Sequence, residues 1–420
     1  MKKPEILAPA GNLSKLKTAI DYGADAVYLG GNQFNLRAFS DNFSNEQIAE
    51  GVKYAHERGK KVYVVMNIFA RNGNLKGAPE YLKALVDVGI DAIIAGDPGI
   101  IAIAQEVVPS LEIHLSTQAN NVNWKAAEFW YKQGIKRIVL ARELSFKEIE
   151  GYKENLPEDC ELEAFIHGSM CIAYSGRCLI SNYMLGRDAN RGACSNACRY
   201  KYYIMEETRP GELYPIVEDE DGTYIMNAKD LCMIDHIPEL VESGINSFKI
   251  EGRMKSEFYV ASIVKAYREA VDAYFEDKEN YVLDPKHKEI LMRISHRQYE
   301  KGFYFGRKNN TEIFDTTSYV RDFDIVGVVQ NYDEETQIAT ILQKNRIFEG
   351  EEVEVLTPGA DYFAFTLEDM HDEGGNKIDV ANKATMIFTV KTDKKLKKDD
   401  MLVTNKKVKP LMVMTNQGGK

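Results

Sequence analysis

Eight short apolar runs recur along the first 250 residues of this chain, and longer amphipathic stretches separate most of them. The runs are EILAPA (5–10), DAVYLGG (25–31), KVYVVMN (61–67), DAIIAGD (91–97), EIHLSTQ (112–118), RIVLAR (137–142), LEAFIHG (162–168) and SFKIEG (247–252). Several of the intervening helix patterns end in glycine just before the next run, where a helix C-cap prefers it. This alternation is typical of βα units and predicts parallel strands joined by helical crossovers.

Two folds share this local pattern: a closed TIM-type barrel and a doubly wound open sheet. A count of eight strands favours the barrel. The spacing is regular until the seventh run, after which about 80 residues precede the eighth. Long loops inside compact domains are usually functional. We therefore expect an α/β protein, a TIM-like (β/α)8 barrel with a long cysteine-bearing insertion after strand seven.

A chain of 420 residues exceeds what one hydrophobic core usually supports, so a second domain is expected. After about residue 310, apolar and polar residues alternate over short segments that turn signals separate. This pattern predicts a small C-terminal all-β barrel domain. We place the TIM-like domain, with the site, at 1–310 and the β-barrel domain at 311–420, with RNA binding as a function to test.

Charge and hydropathy limit the functions that this chain can have. No run of about 18 apolar residues occurs, and the N-terminus has no apolar signal segment, so we expect a cytoplasmic protein with no membrane contact. The net charge of −11 argues against a broadly basic nucleic-acid surface. Residues 391–420 nevertheless carry nine Lys and three Asp, a local balance of +6. They form either a solvated surface or a phosphate-attracting patch.

Polar side chains stand at or just past the ends of the predicted strands. In a barrel of this type these ends meet at one face, where active sites lie. The set is Asn12, Asn32, Asn67, Asp97, Gln118, Arg142, His167, Glu251 and Arg253. Lys249 and Lys255 extend it after strand eight, and Arg37 and Arg142 could line the same mouth. This cationic group is interpreted either as a phosphate or carboxylate site or as a surface ion-pair group.

The cysteines are the strongest chemical signal. Four of the six, Cys171, Cys178, Cys194 and Cys198, lie within 28 residues just past strand seven, and Cys232 follows. Cytosolic thiols stay reduced, and thiolates are soft ligands that suit zinc, copper(I) or iron–sulfur clusters. The wide, irregular spacing fits a four-thiolate cluster better than the two tight knuckles of a zinc ribbon. Zinc and metal-free buried cysteines stay open as alternatives.

A nucleophilic site is the competing interpretation of the same stretch. His167 and Cys171 are close enough in sequence to form a Cys–His pair. A peptidase would also need an orienting group and an oxyanion site, and neither an HExxH nor a GxSxG motif occurs. We therefore favour a substrate-facing or supporting role for His167.

Several blocks resemble those of peptidase family U32, the collagenase-like peptidases. The matching residues run from Glu163 through Phe165, Gly168, Ser169, Met170, Cys171, Gly176, Arg177 and Cys178 to Ser181. The opening ILAPAGNLSKLKTAIDYGADAVYLGG, STQANN (116–121), NAKDLC (227–232), KIEGRMKS (249–256) and the C-terminal β module also match. The resemblance thus covers nearly the whole chain.

The resemblance implies nucleic-acid modification more than proteolysis. Members of this length are similar to tRNA hydroxylation proteins that make 5-hydroxyuridine at the wobble position, and to relatives that hydroxylate ribosomal RNA or ubiquinone precursors. It further implies a [4Fe-4S] cluster and prephenate, rather than molecular oxygen, as co-substrate. The implied ligands are Cys171, Cys178, Cys194 and Cys232, with Cys198 as the alternative, and Cys160 is structural.

On this basis each site residue receives an expected role. The catalytic set is His167, Glu251 and Arg253, and the substrate-binding set is Arg142, Lys249, Gln118 and Asn67. The expected macromolecular partner is the anticodon region of tRNA, with a second family member or a second copy of the chain left open. A U32-type peptidase and a non-catalytic scaffold remain the competing hypotheses.

Overall fold

The computed structural model describes residues 2–35, 42–170, 175, 178, 180–187, 189, 194–199, 203–204, 214–215, 227–306, 312–313 and 322–405. They form two compact units, Met1–Leu291 with His296–Tyr319, and Met292–Ser295 with Val320–Lys420. Within these described ranges, no helix has the length and apolar character needed to cross a membrane.

Eight parallel strands form a closed barrel in the first unit, which confirms the predicted fold. They are β1 (Glu5–Ala10), β2 (Ala26–Leu29), β3 (Lys61–Met66), β4 (Ala92–Ala95), β5 (Glu112–Leu115), β6 (Arg137–Val139), β7 (Glu161–Ser169) and β8 (Ser247–Ile250). Each strand pairs with the next along the chain, and β8 pairs with both β7 and β1, so the sheet closes on itself.

A helix follows each strand on the outside of the barrel. These helices are α1 (Leu13–Asp21), α2 (Asn45–His56), α3 (Ala78–Asp87), α4 (Pro98–Val107), α5 (Trp124–Lys132), α6 (Phe146–Asn155), α7 (Ile237–Glu242) and α8 (Glu257–Glu276). Ser44 and Ser145 begin α2 and α6 with capping boxes, in which side chain and backbone satisfy each other's unpaired groups. Further helices and turns span Asn72–Leu75, Thr117–Ala119, Ile180–Leu185, Ala197–Arg199, Ile234–His236 and Pro285–Arg293.

The barrel interior contains paired charges, although apolar layers are usual there. Arg137 on β6 donates to Glu5 Oε1 at 2.7 Å and, from Nε and Nη2, to Glu161 Oε2 at 2.8 and 2.6 Å. Glu5 also accepts from the hydroxyls of Tyr63 at 2.7 Å and Ser247 at 2.8 Å. Charges withdrawn from water need such partners, so this network fixes the relative positions of the strands.

Strand β7 is the longest of the eight and continues past the barrel. Its last residues pair antiparallel with the strand Asp230–Cys232, which in turn pairs with Tyr299–Glu300. Gly168 in this extension has φ 109°, and a Cβ there would lie 2.6 Å from the carbonyl oxygen of Glu251, so only glycine fits. Further two-residue strands of this unit are Tyr203–Ile204, Tyr214–Pro215, Asn227–Ala228 and Glu312–Ile313.

The second unit is an antiparallel β domain, as predicted. Its strands are β9 (Phe323–Asp333), β10 (Ile338–Gln343), β11 (Glu352–Leu356), β12 (Phe363–Thr366), β13 (Glu368–Asp372), β14 (Ile387–Lys391) and β15 (Met401–Asn405), with a ribbon of Ile347–Phe348 and Val380–Ala381. The sheet order is β12-β11-β15-β9-β10-β14-β13. Because only Leu367 separates the two edge strands in sequence, the sheet curls into a half-barrel around its apolar core.

Candidate functional site

A buried lysine–glutamate pair lies inside the barrel, on strands β7 and β8. Lys249 on β8 donates to Glu163 Oε1 on β7 at 2.6 Å, and their side chains are 6% and 0% exposed. Arg137 lies 3.8 Å from the other carboxylate oxygen of Glu163. Burial opposes ionisation of Glu163, but Lys249 and Arg137 outweigh it and lower the pKa of its carboxyl. Glu163 is therefore ionised, while burial lowers the pKa of the Lys249 ammonium and the contact with Glu163 opposes that shift.

Two aromatic rings flank the ammonium group of this pair. Lys249 Nζ lies 4.5 Å from the ring centre of Tyr28 and 5.4 Å from that of Phe165. The guanidinium of Arg142 lies 3.8 Å from the ring centre of Phe165 and donates to the carbonyl of Ser169 at 2.7 Å. Strands β2, β7 and β8 and the end of β6 thus build a mouth of two cations and two rings. Sequence analysis gave neither ring a role at the site, although Phe165 follows Glu163 at the alternation of an inward-facing strand.

Arg253 has a different position from the other two cations. It is 5% exposed and donates to the side-chain oxygens of Asn35 at 2.9 Å and Asn42 at 3.5 Å. Asn35 donates in turn to the carbonyl of Gly31 at 2.6 Å. Arg253 thereby ties the segment after β2 to the end of β8, and its catalytic role stays a prediction. Arg37, expected in the same lining, lies outside the described residues.

His167 is enclosed by tyrosines at the end of β7. Its ring is 1% exposed and lies 6.2, 5.7 and 5.2 Å from the ring centres of Tyr259, Tyr267 and Tyr299. Burial lowers its pKa to about 3, so the imidazole is neutral. Nδ1 lies 3.4 Å from the hydroxyl of Tyr267, and Nε2 has no hydrogen-bond partner among the described residues. The predicted catalytic role of His167 is untested by this arrangement.

Of the remaining residues at the strand ends, some cap helices and others lie in the turns that follow the strands. Asn12 accepts from the amide of Lys15, and Asp97 accepts from two amides at the start of α4, so both are helix caps. Gln118 lies in the turn after β5, and its buried Oε1 has no partner among the described residues. Asn32 and Asn67 follow β2 and β3, and Glu251 follows β8, where the sequence analysis placed them.

The segments that carry the cysteines contact one another. The amide of Ser195 donates to the hydroxyl of Ser181 at 2.8 Å, and the two hydroxyls lie 2.7 Å apart. These serines are one residue after Cys194 and three after Cys178. The turn Ala197–Arg199, which contains Cys198, packs against both Ile180–Leu185 and Asn227–Ala228. All three segments therefore belong to one layer beyond the barrel.

Cys232 connects this layer to the end of β7. Cys232 faces His167 in the antiparallel pairing. His167 is four residues before Cys171 in sequence, and Cys171 itself lies outside the described residues. Cys160 instead directly precedes the first residue of β7, at the opposite end of the barrel. The topology thus separates Cys160 from the other cysteines, as the sequence prediction assumed.

The donor set suits a soft metal centre. The residues gathered by this layer contribute thiols, which iron and zinc prefer. Burial raises the pKa of the Cys232 thiol to about 12, so this thiol needs a nearby cation to lose its proton. Within the described part of the chain, no three His, Cys, Asp or Glu side chains are grouped for a metal ion, and the predicted ligand Cys171 is not part of that set.

Comparisons with known proteins place the whole chain in one family. Residues 11–313 match the model of Peptidase family U32, and residues 321–402 match that of its C-terminal domain. The chain is 46% identical over 402 residues to tRNA hydroxylation protein P1 of Bacillus subtilis, covering 96% of this chain and 94% of that protein.

Two further relatives come from Escherichia coli. Its tRNA hydroxylation protein P is 38% identical, covering 91% of this chain and 92% of that protein. A 23S rRNA 5-hydroxycytidine synthase is 34% identical, covering 75% of this chain and 47% of the synthase. With both of its units matched and relatives similar along nearly its full length, the chain belongs to peptidase family U32.

Proposed function

We propose that this protein acts in tRNA modification, hydroxylating the wobble uridine to 5-hydroxyuridine with an iron–sulfur cluster and with prephenate as hydroxyl source. The observation that carries the proposal is the 46% identity to a tRNA hydroxylation protein along nearly the full length of both chains. The expected location is the cytoplasm.

The chemistry sets a requirement on the co-substrate. Replacing the C5–H bond of uracil by C5–OH removes two electrons from the base, so a donor X–OH must leave as X–H for atoms and electrons to balance. Prephenate is a cyclic alcohol with two carboxylates. The Arg142 guanidinium and the Phe165 ring, 3.8 Å apart, offer a carboxylate partner and an apolar face for such a ring.

The cysteine layer supports the proposed cofactor. Cys171, Cys178, Cys194 and Cys232 would hold the cluster, with Cys198 as the alternative fourth ligand, and zinc remains the competing metal. A bound cluster would supply one-electron transfer at the end of β7. This ligand set is supported by the contacts of the turn Ala197–Arg199 with Ile180–Leu185 and Asn227–Ala228, and by the pairing of Cys232 with His167 on β7.

The second unit offers a surface that suits RNA. Lys394, Lys395, Lys397 and Lys398 are exposed around the turn before β15, which buried Leu396 anchors. The amide of Lys397 also donates to the side chain of Asp400 at 2.7 Å. Lysines grouped in this way attract phosphates, which lets an acidic protein bind tRNA at one local surface. Because the wobble uridine is already unpaired, presenting it to a pocket costs little.

Complementation of a bacterium that lacks its own tRNA hydroxylation proteins tests the proposal. Mass spectrometry of digested tRNA should show 5-hydroxyuridine-type nucleosides with the wild-type protein and with the control C160A, and none with C178S. Wild-type protein that is folded, purified anaerobically and brown, yet restores none of these nucleosides, would remove the assignment.

The same preparations separate the competing hypotheses. A U32-type peptidase would cleave peptides after iron is removed and would lose activity on mutation of its nucleophile. A colourless, zinc-containing protein after strict anaerobic purification would favour the structural-metal alternative. Ribosomal RNA hydroxylation would appear as a mass change in rRNA nucleosides instead.

A further inference from the structure

Glu143 lies at the end of β6, directly after Arg142, and contacts the cysteine-bearing insertion. Its Oε1 accepts from the amide of Ser175 at 3.0 Å and lies 3.4 Å from the Ser175 hydroxyl. Ser175 lies three residues before Cys178. Neither Glu143 nor Ser175 was singled out by sequence analysis, because 32 residues separate them and no short motif joins them.

A second strand end holds the same serine. Thr117, in the turn after β5, has its hydroxyl 3.3 Å from the hydroxyl of Ser175 and 3.1 Å from the carbonyl oxygen of Leu140. Ser175 is therefore held between the loops that follow β5 and β6. Both loops begin at strands of the closed barrel, which fix where the two contacts start.

The preceding residue of the same loop holds the other side of the insertion. Arg142 donates to the carbonyl of Ser169, the last residue of β7. Two consecutive side chains from the loop after β6 thus hold the chain at Ser169 and at Ser175, on either side of Cys171 in sequence.

The carboxylate of Glu143 contacts Ser175 through only one of its two oxygens, Oε1. Its Oε2 is buried and has no hydrogen-bond partner among the described residues. Burial raises the pKa of the Glu143 carboxyl. The bond from Ser175 needs only an oxygen acceptor, and an amide oxygen at the same position could accept it.

We propose that Glu143 is a positioning residue, which with Thr117 fixes Ser175, three residues before Cys178, before any metal binds. For cluster assembly this inference rests on the proposed function, because only then do Cys171 and Cys178 act as ligands. The anchoring itself is a property of the metal-free chain. Glutamine in place of Glu143 keeps the acceptor, whereas alanine removes it.

Hydrogen exchange of the full metal-free protein, followed by mass spectrometry, tests the anchor. In E143A, exchange in peptides that cover 169–178 should accelerate about tenfold or more, whereas E143Q should resemble wild type. T117V should show a smaller increase in the same peptides. E150A, which removes an exposed carboxylate from α6, is the matched control and should change nothing.

Cluster retention gives the second measurement. After anaerobic reconstitution, a chelator should bleach E143A several-fold faster than E143Q or E150A. Unchanged exchange of the 169–178 peptides in both E143A and T117V would overturn the anchor. Equal acceleration in E143Q and E143A would overturn the acceptor role. If E143A accelerates exchange but no variant or wild type assembles a cluster, the anchor stands and the proposed cofactor falls.

Discussion

Glu163 and Lys249 should be unequal partners in the stability of the barrel. Their 2.6 Å contact corresponds to about 6 kcal/mol of attraction at an effective dielectric constant of 20. Most of this is offset by the cost of withdrawing both charges from water. Removing one partner leaves the other charge buried. The groups around that remaining charge then decide how far the free energy of unfolding falls.

The surroundings stabilise the Glu163 carboxylate when Lys249 is removed more than they stabilise the Lys249 ammonium when Glu163 is removed. In K249M, Glu163 still has Arg137 at 3.8 Å, worth about 4 kcal/mol on the same scale. In E163Q, the buried ammonium of Lys249 faces the positive charges of Arg142 and Arg137. We expect E163Q to lower the free energy of unfolding by about 3–5 kcal/mol and K249M by about 1–3 kcal/mol.

Urea unfolding monitored by tryptophan fluorescence measures this directly. Both tryptophans of the chain, Trp124 and Trp130, lie in α5, so the signal reports the barrel unit alone. The matched control is K136M, which removes a 2.9 Å ion pair with Asp159 whose side chains are 62% and 53% exposed. It should lower the free energy of unfolding much less than either buried variant, because exposed ion pairs contribute little. A larger loss for K249M than for E163Q would refute the reasoning.

The pH dependence provides an independent check. Because the folded-state pKa of Glu163 lies below its ordinary value of 4.5, its ionic contribution is complete above that pH. The contribution disappears as the pH falls through the lowered folded-state pKa. The stability difference between wild type and E163Q should therefore narrow below about pH 4.5, and a constant difference down to acid unfolding would contradict the ionic pair.

Three further predictions concern other features of the barrel and its insertion. G168A should lower the free energy of unfolding in urea by about 2–4 kcal/mol, because alanine meets both an unfavourable φ and the carbonyl oxygen of Glu251. An unchanged free energy of unfolding would mean that the β7 extension can shift to make room for the methyl group. Iron and sulfide analysis should show loss of the cluster in C232S and its retention in C198S and in the control C160A. The reverse result for C232S and C198S would make Cys198, not Cys232, the fourth ligand. Y63F should cost about 1–3 kcal/mol by leaving an oxygen of half-buried Glu5 without its hydroxyl donor, which the same fluorescence assay would detect.

The sequence predicts the barrel well because its strand centres are apolar and its helices are capped by local signals. Ser44 and Ser145 lie three residues before the Gln and Glu that complete their capping boxes, so helix starts can be found within a short window. The same local signal assigns Asn12 and Asp97 to helix caps, an interpretation that the strand-end argument overlooked.

The charged interior could not be predicted in this way. Arg137 and Glu5 are 132 residues apart, and each interrupts or begins an otherwise apolar run. Only closure of the barrel makes them partners. The anchor at Ser175 has the same origin, because its acceptor Glu143 comes from a different strand end. Contacts of this kind depend on the register of the whole barrel, which no local pattern encodes.

The cations at the barrel mouth differ in how much charge they can offer a substrate, and this ranking gives the last prediction. The ammonium of Lys249 is committed to Glu163, and Arg253 is buried beneath the segment after β2. Arg142 is more exposed than either of them and lies 3.8 Å from the ring centre of Phe165, and this exposure is the basis of the ranking. R142M should therefore raise the KM for an anionic co-substrate about tenfold or more with little loss of stability. K249M should act mainly through stability, and a larger KM effect for K249M than for R142M would reverse the ranking.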